Sequence, residues 1–206
     1  MDRPAPLLLA TLVALVALPA AAQTLAFEHH FVNVGLPITD GWIGDYGLSV
    51  LMDVDGNGKL DYVVGRRALR DRGVRSIIYW FEYRETDEWP KHILGYDAPS
   101  GVGSAALDID GDGRTDLVTN GAWYRCPVNP LQQPFERHVY DESYTEGHDL
   151  VIADLDGNGR LDVVSLREGE DGLRWYDIPA DPTEPWHRHI VGDGIHGAIS
   201  PGGIAD

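Results

Sequence analysis

The stretch DIDGDGRTDLVT at 108–119 has two close copies in the chain, DVDGNGKLDYVV at 53–64 and DLDGNGRLDVVS at 154–165. All three copies follow the pattern D-x-D-x-[DN]-G-x-x-D and then continue into apolar residues. In a tight turn the alternating side chains direct their oxygens to one centre, and the glycine at position six permits the sharp bend of a calcium loop. The sequence therefore predicts three calcium-binding loops.

Each predicted loop offers four side chains and one backbone carbonyl as oxygen ligands. The side chains come from positions one, three, five and nine, and the carbonyl comes from position seven. The predicted ligands are Asp53, Asp55, Asn57, Lys59 and Asp61 in the first loop, Asp108, Asp110, Asp112, Arg114 and Asp116 in the second, and Asp154, Asp156, Asn158, Arg160 and Asp162 in the third. Oxygen ligands without His or Cys favour Ca²⁺ over zinc or copper.

Two other interpretations of the loops compete with this one. An ordinary polar turn needs one or two such residues, whereas the same five positions recur here three times. An EF-hand or dockerin-like loop needs an acidic ligand at position twelve and a helix after it. Position twelve is Val64, Thr119 or Ser165, and the β-branched residues at the loop exits favour strands. The pattern thus indicates a calcium loop between two strands.

Two further elements recur around the loops. The first is [FW]-x-x-H followed by an apolar residue, and it begins at Phe27, Trp89, Phe135 and Trp186. The second is an aromatic segment, found as IIYWF at 77–81, AWY at 122–124 and LRWY at 173–176. Together with the segments that enter and leave each loop, they give every unit four extended pieces.

The repeat units predicted within 23–206 are 27–88, 89–134 and 135–185, with a partial fourth at 186–206. Repeats with four short strands and no helical period are typical of β-propeller blades. We therefore expect an all-β fold with blades of four antiparallel strands, three complete and a fourth only begun. Because a propeller needs about four to eight blades to close, we expect an incomplete propeller, completed by further blades of a longer chain or by self-association.

The histidine of the [FW]-x-x-H element occupies a fixed strand position in every unit. These residues are His30, His92, His138 and His189. A fixed position favours a structural role, in which the side chain ties the edge of a blade by hydrogen bonds. Metal ligation or catalysis is the alternative.

Residues 1–22 predict a secretory signal peptide. The apolar stretch at 7–18 is too short to span a bilayer, and three alanines at 20–22 provide a cleavage site. A membrane anchor is the alternative, which the short apolar stretch disfavours. We expect a secreted protein, extracellular or periplasmic, without a membrane span after cleavage.

Charge and cysteine content restrict the partners and the means of stabilisation. The chain has 33 acidic residues against 16 Lys and Arg, a formal net charge of −17. This excess argues against nucleic acid or an anionic membrane as a partner. Cys126 is the single cysteine, so no intrachain disulfide can form, and we expect calcium to stabilise the fold instead.

The Asp loops, the W-x-x-H-I element and the paired aromatic residues resemble the FG-GAP or VCBS repeat family, which includes the β-propeller repeats of integrin α-subunit head domains. The resemblance covers 27–206 and implies that the loops bind calcium at an outer or lower hairpin of each blade. It implies no single activity, since the family includes adhesion modules, carbohydrate-binding propellers and a few polysaccharide lyase and sugar-lactone dehydratase scaffolds.

Residues that break the repeat are candidates for function. His148 and Asp149 precede the third loop, and His196 follows the last [FW]-x-x-H element. The corresponding connections of the earlier units contain Trp42, Asp45, Tyr46, Tyr96 and Asp97. If these connections converge on one mouth, they suit sugar stacking and proton abstraction beside a uronate carboxylate. The alternative is a set of polar residues that cap strands.

The sequence therefore leads to two functional hypotheses. The first is a secreted calcium-binding repeat protein that binds a carbohydrate or an extracellular protein surface without catalysis. The second is part of a polysaccharide lyase or sugar dehydratase, with His148 or His196 and a tyrosine as base and acid.

Overall fold

A computed structural model describes most of the chain after the predicted signal peptide. The described residues are 26–32, 35–36, 46–66, 75–99, 102–144, 147–167 and 169–194. Within them the chain forms twelve strands and no helix, and hence no helix that could cross a membrane. The predicted signal peptide at 1–22 and the candidates Trp42, Asp45 and His196 lie outside the described residues.

The strands form three antiparallel sheets of four strands each, and each sheet follows the chain order. The first sheet consists of β1 (Leu48–Met52), β2 (Asp61–Arg66), β3 (Ile77–Phe81) and β4 (Lys91–Tyr96). The second consists of β5 (Ser104–Leu107), β6 (Asp116–Thr119), β7 (Ala122–Arg125) and β8 (Glu136–Val139). The third consists of β9 (Asp149–Ala153), β10 (Asp162–Leu166), β11 (Gly169–Asp177) and β12 (His187–Gly194). This arrangement confirms the predicted all-β, propeller-like architecture of three four-stranded blades, which do not close into a ring in the described part of the chain.

The sheets are shifted by one strand relative to the predicted repeat units. The [FW]-x-x-H elements supply β4, β8 and β12, each paired with the aromatic strand before it. The predicted strand around His30 is wrong, since 26–32 contains no strand and Phe27 is 91% exposed. In the three sheets the element pairs with an aromatic strand that precedes it, and no described strand precedes Phe27.

Two hydrophobic cores lie between neighbouring sheets. The first core, between the first and second sheets, includes Leu48, Trp80, Leu94, Leu117, Tyr124 and Cys126. The second core, between the second and third sheets, includes Val118, Trp123, Leu150, Tyr176 and Trp186. Successive strand residues point to opposite faces, so Leu117 and Val118 of β6 serve different cores. The middle sheet is therefore covered on both sides.

The first strands of the three sheets lie next to one another. β1 contacts β5, and β5 contacts β9. Gly47 forms a parallel bridge with Val102 at the start of these strands. In each sheet one Asp-rich loop, which we call an acid loop (53–61, 108–116 or 154–162), follows the first strand. The three acid loops therefore share one end of the molecule. The connections that lead into β5 and β9 lie at the opposite end.

Candidate metal centres

Each acid loop is the hairpin between the first and second strands of its sheet, as the sequence predicted. The loops join β1 to β2, β5 to β6 and β9 to β10. In the first loop Gly56 and Gly58 have φ angles of 74° and 84°, and the other loops repeat these values within about a degree. A Cβ at either position would meet no atom within 4 Å. Glycine is therefore needed for the left-handed backbone conformation rather than for space.

The carboxylate at position one accepts hydrogen bonds from the backbone of residues later in the same loop. Asp53 accepts hydrogen bonds from the backbone N–H of Asn57 (3.0 Å) and of Gly58 (2.9 Å). Asp55, at position three, also accepts the Asn57 N–H, at 3.1 Å. The second and third loops repeat these contacts at Asp108 and Asp110 and at Asp154 and Asp156. The same turn thus places the same two carboxylates three times.

The carboxylate at position nine is buried under each loop. Asp61 and Asp116 are 0% exposed, and Asp162 is 1% exposed. Asp116 accepts the N–H of Ile109 within the loop (3.0 Å) and the N–H of Cys126 after β7 (2.7 Å). In the first two loops, position nine therefore joins the loop to a residue just after the third strand of the sheet.

The electrostatics of the loops fit a divalent cation. In each loop the carboxylates of positions one, three and nine place oxygens within 4.8 Å of one another. Burial raises the pKa of Asp116 to about 6, although backbone hydrogen bonds from Cys126 and Ile109 oppose the shift, and the charges of Asp110 and Asp112 add to it. Burial likewise raises the pKa of Asp61 and of Asp162. A hard cation would offset this crowding, and the all-oxygen set suits Ca²⁺.

Positions five and seven make contacts within the loop. Asn57, Asp112 and Asn158 accept the backbone N–H of Lys59, Arg114 and Arg160, respectively. Their roles as side-chain and carbonyl ligands stay predictions. The second loop has a fourth carboxylate, Asp112, which pairs with the Arg114 guanidinium. Arg125 Nε lies 2.5 Å from Asp110 Oδ2, so two arginines offset the extra charge of this loop.

Three of the four repeated histidines stack on the tryptophan of the neighbouring aromatic strand. The ring centroids are 4.4 Å apart for Trp80 and His92, 4.6 Å for Trp123 and His138, and 3.9 Å for Trp175 and His189. His92 Nε2 also lies 3.1 Å from Glu82 Oε2. These contacts tie the fourth strand to the third strand, in agreement with the predicted structural role.

The candidates at the opposite end of the sheets have separate sets of contacts. His148 Nδ1 lies 3.2 Å from the Asp149 carboxylate. Asp97 forms an ion pair with Arg75 at 2.6 Å, and the Arg75 guanidinium lies over the Tyr96 ring. Tyr46 packs against the apolar cluster on the outer face of the first sheet. The described contacts therefore give no single mouth that gathers these candidates.

Sequence reasoning missed a cleft on the third sheet, which we name the arginine cleft. Its volume is about 390 Å³, and it is lined by Ser143, Arg167, Glu170, Asp171, Arg174, Arg188 and Ile190. The signal available in the sequence is weak. Arg174 takes the aromatic-strand position that holds Tyr79 and Ala122 in the other sheets, and this break in the repeat points to a local role.

The fold and the loops define a class of protein built from propeller-like sheets with Asp-rich hairpin loops. Residues 53–119 match the family model described as an FG-GAP-like repeat. This stretch, which runs from the first loop to the end of the second, is thus an FG-GAP-like repeat, and the match confirms the resemblance over these residues. Comparison with curated proteins finds no match to the chain.

Proposed function

We propose that the chain is an exported, calcium-binding FG-GAP repeat protein that binds an acidic carbohydrate in the arginine cleft. The observation that carries this proposal is a concave site in a chain of net charge −17, whose lining includes three arginines, Arg167, Arg174 and Arg188, beside Glu170 and Asp171. The calcium loops hold the sheets together, and the cleft supplies the recognition.

Calcium binding is supported by the geometry of the loops. Three carboxylates converge in each loop, and one of them is buried beneath it. Extracellular modules hold calcium with dissociation constants of roughly 10⁻⁴–10⁻³ M, which suffice outside the cell. Export, inferred from the signal peptide, would place the loops where such weak sites are filled.

The side chains of the cleft suit a carboxylate ligand. Arg174 is 3% exposed and Arg188 is 44% exposed, and both lie 3.3 Å from Asp141 Oδ2, which holds them in place. Among the described residues, the buried Nε of Arg167 has no hydrogen-bond partner. A guanidinium binds a planar carboxylate through two parallel hydrogen bonds. A uronate residue offers that carboxylate, and its hydroxyls match the Ser143 and Glu170 side chains.

The shape of the cleft favours a sugar over a protein surface. A volume of about 390 Å³ lies at the small end of ligand pockets. A stable protein interface instead buries about 800 Å² on each partner. The overall negative charge opposes an acidic ligand only at long range, because salt screens charges beyond about 8 Å. The arginines therefore act at contact distance, which favours a ligand that enters the cleft.

Calorimetry with short oligouronates at fixed calcium tests the proposal. We expect trigalacturonate to bind and a neutral oligosaccharide of equal length not to bind. Arg167→Ala should weaken binding roughly ten- to hundredfold, because a hydrogen bond to a charged group is lost. The matched control is Arg137→Ala, an exposed arginine on β8 outside the cleft. Equal binding of both sugars, or an unchanged affinity in Arg167→Ala, would contradict the proposal.

A polysaccharide lyase or sugar dehydratase is the second candidate function. It is favoured by the His148–Asp149 contact, since a carboxylate beside an imidazole orients a general base. A lyase acting on the same oligouronates would release an unsaturated product that absorbs ultraviolet light. Turnover that is lost in His148→Ala would replace binding with catalysis as the function.

A further inference from the structure

A second kind of metal-binding group lies on β11 and β12 of the third sheet. Asp177, His187 and His189 each direct one ligand atom to a common point, and these atoms lie within 4.8 Å of one another. His189 Nε2 is 2.9 Å from Asp177 Oδ2 and 3.0 Å from His187 Nδ1. We propose that these three residues bind a late first-row divalent cation, for which Zn²⁺ is the probe, at a site separate from the calcium loops.

The strand register explains why the three side chains meet. His187 lies directly opposite Asp177 in the antiparallel pair of β11 and β12. His189 lies opposite Trp175, two residues along β12 from His187. Because residues two apart share one face of a strand, all three ligand side chains project from the same face. The site therefore needs no backbone change to form.

The His189 ring is already fixed in position. It stacks on Trp175 with centroids 3.9 Å apart and an angle of 7° between the planes. This packing holds Nε2 toward Asp177 and His187. A ligand held in this way loses little freedom when a metal binds.

The hydrogen bonds at this point are incomplete without a cation. A hydrogen on His189 Nε2 cannot be donated in full to both Asp177 Oδ2 and His187 Nδ1, and a hydrogen on His187 Nδ1 instead would leave the contact between His189 Nε2 and Asp177 Oδ2 without a donor. In the described part of the chain the other oxygen, Asp177 Oδ1, is buried without a hydrogen-bond partner. A cation in place of the hydrogen would bind lone pairs on Asp177 Oδ2, His187 Nδ1 and His189 Nε2 together.

The ligand types and spacing suit zinc. Two imidazoles and a carboxylate are borderline ligands of the kind that Zn²⁺ accepts. In a tetrahedral zinc site the ligand atoms lie roughly 3.3 Å apart, as follows from metal–ligand distances of about 2.0–2.2 Å. The distances of 2.9 and 3.0 Å therefore need only small adjustments. His187 is 70% exposed, so water has access to the fourth position.

The other two sheets offer an internal comparison, because neither has all three ligands at these positions. The first sheet has Glu82 and His92, but Pro90 stands where the third sheet has His187. Arg84 also occupies the Glu82 carboxylate, with an Nε–Oε1 distance of 2.8 Å. In the second sheet Arg125 replaces the acid, and a cation there would repel a metal. Within the described residues the complete set is found in the third sheet.

Zinc titration of the untagged full chain in saturating calcium tests the inference. Calorimetry should show one Zn²⁺ per chain, and Co²⁺ as a substitute should give the visible absorption of a tetrahedral site. His187→Ala and Asp177→Asn should each weaken Zn²⁺ binding at least about tenfold, since even the loss of an outer-shell partner costs ten- to hundredfold. His92→Ala in the first sheet is the matched control and should leave the affinity unchanged.

Three outcomes would overturn the inference. These are unchanged zinc affinity in His187→Ala, equal losses in His187→Ala and His92→Ala, or displacement of the bound zinc by excess calcium, which would place it in an acid loop. Because His187 is exposed, its substitution is not expected to unfold the protein, and a circular dichroism spectrum checks this. Oligouronate binding uses other side chains, so its success or failure leaves this test intact.

Discussion

The two cores between neighbouring sheets differ in the side chains that border them at the end away from the acid loops. The first core consists of apolar and aromatic side chains such as Trp80 and Tyr124. The second core borders a buried polar network at the end away from the acid loops. There the Ser165 hydroxyl lies 2.6 Å from Asn120 Oδ1 and 2.5 Å from the Tyr144 hydroxyl. In this repeat fold, side chains that break the repeat build a distinct local structure, whereas those that follow it build a common core.

The polar network also supports the arginine cleft. Asp141 accepts a hydrogen bond from the Tyr176 hydroxyl at 2.7 Å and contacts Arg174, which is 3% exposed. In such a low-dielectric setting a network of hydrogen bonds stabilises the fold when every polar group is paired. Removal of one group leaves its partner buried and unpaired, which costs stability. Substitution of a polar side chain in this network should therefore destabilise the second core and leave the first core unaffected.

Calcium removal should have the largest effect, because it acts on both cores. Val54 and Ile109 stand at position two of the first and second loops, and they are buried in the first and second cores. Each site held at a hundredfold excess of calcium over its Kd stabilises the fold by about 2.7 kcal/mol, so three such sites together contribute roughly 8 kcal/mol. We expect a calcium chelator to lower the melting temperature followed by circular dichroism, and calcium to restore it.

A single-loop variant separates calcium from general ionic effects. Asp110→Ala should lower the melting temperature even in excess calcium, because it removes a predicted ligand from the second loop. Magnesium should not replace calcium, since Mg²⁺ demands tighter octahedral geometry. A melting curve that chelator leaves unchanged would reduce the loops to polar turns.

Substitution of Asp141 should destabilise the second core selectively. The Asp141 side chain is 8% exposed, and Asp141→Asn leaves the buried Arg174 guanidinium without its counter-charge. Breaking a buried pair in this way costs about 3–5 kcal/mol. The control is Asp181→Asn, because Asp181 accepts the same two hydrogen bonds from Thr183 that Asp141 accepts from Ser143, but at an exposed position. Urea unfolding should show a loss in Asp141→Asn only, and equal losses would contradict the prediction.

The same pair predicts a dependence on pH. Burial raises the pKa of Asp141, but hydrogen bonds from Ser143 and Tyr176 and the charge of Arg188 outweigh it, so the pKa lies below its ordinary value. A carboxyl group with a lowered folded-state pKa stabilises the fold above its unfolded value of about 3.9 and loses that contribution as pH falls through the folded value. The difference in stability between wild type and Asp141→Asn should therefore be complete at neutral pH and shrink below about pH 4.

Features that repeat could be predicted from the sequence, whereas features that depend on pairing between strands could not. Three copies of the Asp pattern and the β-branched exits predicted the hairpin loops and the four-stranded sheets. The sequence did not predict which strand begins each sheet, because a repeating series of strands has no marked beginning. Only the pairing of each aromatic strand with the following histidine strand decides it.

The arginine cleft and the histidine–aspartate group were missed for a related reason. Arg167, Arg174 and Arg188 belong to different elements and meet only through the fold of the third sheet. Asp177 and His187 are ten residues apart and face each other through the register of β11 and β12. The three arginines form no motif along the chain, and the pair of His187 and His189 does not indicate Asp177 as its third partner, so spacing alone does not reveal either set.

The smallest expected effect comes from position two of the acid loops, where the loops meet the cores. Ile109 is 8% exposed in the second core, whereas Leu155, its equivalent in the third loop, is 39% exposed. Ile109→Ala should cost about 2 kcal/mol, the lower end for a buried aliphatic residue. Leu155→Ala removes the same number of carbons and should change the unfolding free energy by less than about 0.5 kcal/mol. A comparable cost for Leu155→Ala would mean that its exposed face is covered in solution, and a dependence of that cost on protein concentration would identify a second copy of the chain as the cover.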